Sequence, residues 1–191
     1  MEGEPSILFE ILIIFILMIA NGVFAMTEIA IVSSRKARLE KYAADGSDGA
    51  KAALELANDP TPLLSTVQVG ITLIGIFTGA YGGATIAQAL VVYLRPLPVV
   101  GPYAASVSMA LVVAAITYVS LIIGELVPKR MALNNPEPIA MLIARPMRFL
   151  SKVFMPIVKL LSISTEVVLK IAGVKKPADA GVTEDEIKIM L

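Results

Sequence analysis

Two carboxylates sit where carboxylates are expensive. Glu28 and Glu125 fall inside long apolar stretches, each a turn or so short of a basic cluster. Acidic and basic residues at the centre of a membrane-spanning helix cost about 2.5–3.5 kcal/mol on insertion scales, so such a group needs either a function or local neutralisation. The functional reading is a cation site or pathway between helices, with both carboxylates at one depth. The plainer alternative is that each snorkels to the interface or pairs with Arg35 or Lys129. A third carboxylate, Glu10, lies close enough to the opposite end of its stretch to reach water.

The stretch Gly124-Glu125-Leu126-Val127-Pro128-Lys129 is the most informative. Pro128 has no N–H, so within a helix the carbonyl of Gly124 loses its donor. The motif therefore offers a backbone oxygen beside a carboxylate at membrane depth, an arrangement tolerated where it lines a cavity or binds an ion; a plain proline kink is the alternative. Around it, small and polar residues recur at helical spacing. Ser65, Gln68, Thr72, Gly75, Gly79 and Gly82 form one seam, Asn21, Ala25 and Glu28 another, and Thr117, Ser120 and Gly124 a third. Such faces also pack membrane helices together, which explains the glycines better than it explains Gln68 or the carboxylates.

The residue inventory narrows the chemistry. With no Cys and no His, thiolate and imidazole metal sites, Cys- and His-based nucleophilic catalysis and disulfides are excluded. A bound metal must be held by oxygen, which favours hard cations such as Mg²⁺ or Ca²⁺. The formal net charge is zero, so global charge suggests no nucleic-acid partner. No phosphate-binding loop, nucleophile elbow or glycosidase-type carboxylate pair is present, and no enzyme is expected.

The elements that must position these groups are membrane helices. Of the 191 residues, 57% are hydrophobic, gathered in blocks near or above the roughly 20 residues that cross a bilayer. The spacing predicts spans over residues 7–32, 63–83 (continuing, bent at Gly82-Gly83, to Leu94) and 103–127. Basic residues Arg35, Lys36, Arg38 and Lys41, and later Lys129 and Arg130, place those ends in the cytoplasm and the acidic N-terminus outside. Residues 35–58 read as two short helices on the cytoplasmic side. Residues 145–172 read as an amphipathic interfacial helix whose charged face carries Arg148, Lys152, Lys159, Glu166 and Lys170; a fourth span is the alternative. The fold class is thus all-α integral membrane, with three transmembrane helices and amphipathic juxtamembrane helices. Residues 1–173 form the membrane domain and its belt. Residues 174–191 form a linker and, from a capping box at Thr183 and Glu186, a helix leading to a cytoplasmic module beyond Leu191.

Three ordered motifs carry a resemblance: Asn21-Gly22-Val23-Phe24-Ala25-Met26-Thr27-Glu28-Ile29-Ala30, Leu64-Ser65-Thr66-Val67-Gln68-Val69-Gly70-Ile71-Thr72-Leu73, and Gly124 to Lys129. Together they resemble the transmembrane domain of the CorC/CNNM (HlyC/CorC-type) family, and Val182 to Ile187 resembles the lead into that family's CBS pair. The resemblance implies a homodimer in the cell membrane and adenine nucleotide bound only in the cytoplasmic module. It also implies Mg²⁺ efflux with Na⁺ entry as the proposed drive. The implied site uses a first-span hydroxyl, a second-span Asn and the third-span Glu. Glu125, with Gly124, matches that pattern. Ala25 stands where many relatives have Ser, and Gly70 to Gly75 replaces an Asn-rich stretch, leaving Thr72 and Gln68 as candidate substitutes. The expected metal ligands are therefore Glu125, Gly124, Glu28, Thr72 and Gln68, with Pro128 as the structural kink. The alternative function is a dimeric membrane anchor that serves a nucleotide-sensing module without transport of its own.

Overall fold

The computed structural model describes residues 7–173, except for the Tyr81 side chain, and among these residues there is no strand. Three stretches are long and apolar enough to cross a membrane: Ile7–Ser33, Thr61–Leu94 and Gly101–Asn134. The first is helix α1 (Ile7–Ser33), and the second, after α2 (Lys36–Ala44) and α3 (Asp48–Asn58), is α4 (Thr61–Leu94). The third is composite: a 3₁₀ turn at Gly101–Tyr103, α5 (Ala104–Leu121), a π-helical turn at Ile122–Leu126, and α6 (Val127–Asn134). Helix α7 (Pro136–Ile171) follows. The 34 residues of α4 reach about 50 Å, well beyond a hydrocarbon core of about 30 Å.

Helix α4 takes the longer of its two expected extents and runs through Gly82-Gly83 to Leu94. Gly82 is a packing position there: a Cβ on it would lie 2.5 Å from Ile14 Cδ1 and 3.1 Å from Ile116 Cδ1, so the glycine admits α1 and α5. Helix α7 begins at Pro136, ahead of Arg145, because Pro136 suits a first helical position. It is not among the stretches apolar enough to span, so three spans stand.

The chain divides into two compact units, Met1–Met155 and Pro156–Leu191, with α7 running from one into the other. The described part of the second is the rest of α7, with Ile157, Leu160, Leu161 and Ile163 exposed. In the first, the core gathers at the basic ends of the spans. Ala30 and Ile31 of α1, Leu39 of α2, Ala52 and Ala53 of α3, and Leu63 of α4 meet Ala132 of α6 and Ala140, Ile143 and Ala144 of α7. Small side chains let these helices approach closely.

The α3–α7 contact illustrates the closeness. Ser47 caps α3 by accepting the Ala50 N–H at 3.2 Å, and Gly49 then meets the Met141 backbone. Arg145 and Arg148 of α7 pair with Asp48 and Glu55 of α3, each at 2.6 Å. Asp48 is held below its ordinary pKa, first by the Lys51 hydrogen bond and then by the charges of Lys51 and Arg145. A lowered carboxylate pKa stabilises above the usual carboxylate range and is lost as pH falls from that range through the lowered value, so the Asp48 contribution fades in acid. The groups are exposed and the effect small.

A Cβ on Gly49 would lie 2.5 Å from the Met141 carbonyl oxygen, whereas one on Gly75 would meet nothing within 4 Å. Gly49→Ala should therefore destabilise the protein by about 1–3 kcal/mol through overpacking against backbone that cannot yield. Thermal denaturation in detergent should show a lowered Tm for Gly49→Ala and little change for Gly75→Ala.

Candidate functional site

The π-helical turn is where the third span departs from regularity. Its backbone slips so that Val127 N–H bonds to the Ile122 carbonyl, five residues back, and Pro128 has no N–H to offer Gly124. The released Gly124 carbonyl is claimed by another span: Asn21 Nδ2 of α1 donates to it at 2.9 Å. The proline thus makes a local π turn cross-linked to α1.

Glycines permit the approach. A Cβ on Gly124 would lie 3.2 Å from both Asn21 Nδ2 and the Met18 carbonyl oxygen. On the other side, a Cβ on Gly22 would lie 2.9 Å from Pro128 Cγ and 3.1 Å from the Ile123 carbonyl oxygen. Asn21-Gly22 and Gly124 to Pro128 therefore form one interlocked contact.

Glu125, next in the turn, pairs with Lys129 one turn on, Nζ to Oε1 at 2.8 Å, with the two side chains 41% and 31% exposed. The carboxylate meets a primary ammonium on a flexible stem, not a fixed buried partner. Such a pair contributes about 0–1 kcal/mol where water reaches it. The Gly124 carbonyl keeps a second lone pair, and Asn21 retains its side-chain oxygen. One carboxylate and neutral oxygens are thus what the turn offers a cation. Among the described residues no group of three or more Asp or Glu could hold a metal ion.

The other expected ligands are placed apart. Contacts advance in the same direction along α1 and the third span, from Asn21 with Gly124 to Arg35, just past α1, with Glu137, just past α6. In that register Glu28 lies about two turns, roughly 10 Å, beyond Asn21. The two carboxylates do not share a depth. Glu28 is partly exposed and makes no hydrogen bond or ion pair among the described residues. Gln68 and Thr72 lie on the face of α4 opposite Gly70, whose backbone receives the Phe24 ring. Both are exposed, and the Thr72 hydroxyl donates to the Gln68 carbonyl at 2.8 Å. Part of the expected seam does assemble: Gly75 and Gly79 of α4 face Thr117 and Ser120 of α5 across a groove of about 230 Å³.

Glu10 overturns its expectation. It is only 6% exposed, because Glu10, Ile14, Met18, Gly22 and Ala25 share the face of α1 that packs inward, and its Oε2 has no hydrogen-bond partner among the described residues. The Ser108 hydroxyl of α5 is likewise buried without a partner among the described residues. The steps of four and three along α1 carried that signal for Glu10, whereas nothing in the sequence singles out Ser108.

The interlock should be measurable. Asn21→Leu keeps the bulk but leaves the Gly124 carbonyl without its donor, at a cost of roughly 1–2 kcal/mol. Thermal unfolding in detergent should show a lowered Tm. A wild-type Tm would mean that the carbonyl finds another donor.

A family model for the cyclin M transmembrane N-terminal domain matches residues 12–191. A UPF0053 protein of Synechocystis is 48% identical over 188 residues, 98% of this chain and 42% of the relative. The UPF0053 protein YhdP of Bacillus subtilis is 28% identical over 184 residues, 95% of this chain and 41% of the relative. The polyamine export protein of Salmonella typhimurium is 28% identical over 178 residues, 93% of this chain and 40% of the relative. The chain spans less than half the length of these relatives. Because the match runs through all three spans and the interlocked turn, the chain belongs to the CNNM family.

Proposed function

We propose that this chain is the membrane domain of a cation exporter in which Glu125 carries the cation. The observation that supports it best is the state of that carboxylate: it adjoins a broken helical hydrogen-bond ladder and is neutralised by the displaceable ammonium of Lys129, at 2.8 Å. An arriving cation exchanges with Lys129, finds the second lone pair of the Gly124 carbonyl nearby, and leaves when Lys129 returns. Binding that is weak and reversible suits transport better than a closed cage does.

Mg²⁺ is the proposed substrate, with Na⁺ entry as the drive. An oxygen-only ligand set suits a hard ion that keeps much of its water. A homodimer suits the open face of α4, where Gln68 and Thr72 are exposed. The cell membrane is the proposed location, with the basic ends of the spans in the cytoplasm. Adenine nucleotide is expected only in a module outside this chain.

A second substrate class has an observation of its own. The group that occupies Glu125 is an alkylammonium, the chemistry of a polyamine, and one relative is named a polyamine export protein.

Flux from proteoliposomes containing the full-length protein separates these readings. Wild type is expected to move Mg²⁺, and Glu125→Gln to lose at least about tenfold of that flux, the cost of removing a charge-assisted contact. Lys129→Gln should tighten Mg²⁺ binding by removing its competitor. Spermidine flux without Mg²⁺ flux would transfer the site to polyamines. No flux of either would leave the membrane-anchor function. Wild-type Mg²⁺ binding by Glu125→Gln protein would remove Glu125 from the site.

A further inference from the structure

At the basic end of the spans, apart from the interlocked turn, lies a polar pocket of about 380 Å³. Ser33 closes α1 there, Arg35 and Arg38 open α2, and Asn134, Asn135 and Glu137 carry the chain from α6 into α7. Its charges are unequal. Glu137 is 5% exposed; its Oε2 lies 3.6 Å from Arg38 Nη1, and its Oε1 accepts the Arg35 backbone N–H at 3.4 Å. That carboxylate is thus taken up by Arg38 and the start of α2.

The guanidinium of Arg35 and the side-chain amides of Asn134 and Asn135 make no hydrogen bond or ion pair among the described residues. Besides the paired Arg38 and Glu137, one cation and two neutral amides line the pocket among the described residues. That set binds phosphate: a guanidinium fork takes two phosphate oxygens at once, and amide N–H groups take a third. A cation would meet the positive charge of Arg35 instead, so the pocket is not an entrance for the transported ion.

Position decides what carries the phosphate. Ser33 is the last residue of a spanning helix, which puts the pocket where hydrocarbon gives way to headgroups. Tyr42 and Leu133 also line it, and both are exposed, as is neighbouring Val32. Tyrosine at this level is a membrane-interface residue, and the exposed Val32 and Leu133 offer apolar contact to acyl chains. A soluble phosphate would have no use for these side chains. We infer that the pocket formed by Arg35, Asn134 and Asn135 binds the phosphate headgroup of an anionic phospholipid at the basic end of the spans. The site follows from the membrane reading alone and does not depend on what the domain transports.

Native mass spectrometry of the full-length protein in detergent tests this, with phosphatidylglycerol and phosphatidylcholine titrated separately. Wild type should retain phosphatidylglycerol about tenfold better, the scale of one desolvated arginine–phosphate contact. Arg35→Gln should remove the preference. Lys170→Gln, far along α7, should keep it. Asn135→Ala should reduce it, and decides the matter if Arg35→Gln does not fold. Equal retention of both lipids by wild type, or a preference that survives Arg35→Gln, overturns the site. Glycerol phosphate displacing the lipid at equal concentration assigns the pocket to a soluble phosphate and overturns the lipid.

Discussion

One hydrogen bond sets the terms for the rest of the membrane domain: the capture of the Gly124 carbonyl by Asn21, at 2.9 Å. In a bilayer no water reaches an unpartnered carbonyl, so a proline in a spanning helix needs a compensating donor. Here the donor comes from another span, which obliges α1 and the third span to touch and requires glycine on both sides of the contact. The π-helical turn follows from the same constraint, because the extra residue it takes up lets the chain pass Pro128 and resume as α6. Glu125 is presented beside that turn and not in the middle of a regular helix.

Much of this was legible in the sequence, for reasons that differ by element. The three spans are visible because the bilayer imposes a length, and α2 and α3 because a turn at Asp45 to Gly49 divides a polar, alanine-rich stretch. Pro128 reveals the released carbonyl through covalent structure alone. Its partner is not visible in the same way: Asn21 and Gly124 are 103 residues apart, and only tertiary packing joins them. Glu10 was misplaced because distance from a helix end says nothing about which face a side chain lies on. Gln68 and Thr72 follow the expected spacing, yet the face they occupy is set by Phe24 packing on Gly70, which sends them outward.

The charges sort by the same logic. Glu125 is balanced by a lysine one turn away on its own strand of backbone, so its neutralisation is local and reversible. Glu137 is balanced across the fold by Arg38 and by the start of α2, so its neutralisation is part of the packing at the basic end. Arg35 makes no ion pair among the described residues. The cytoplasmic half of the domain therefore holds a mobile ion pair beside the π turn and, nearer the helix ends, a fixed pair and a free cation.

The central claim is that Asn21 holds the carbonyl that Pro128 releases, and the Gly124 carbonyl carbon reports on it directly. Its ¹³C chemical shift, measured by magic-angle-spinning NMR in lipid bilayers, should show a hydrogen-bonded carbonyl in wild type and move upfield toward an unbonded value in Asn21→Leu. The same Gly124 shift in both proteins would contradict the account.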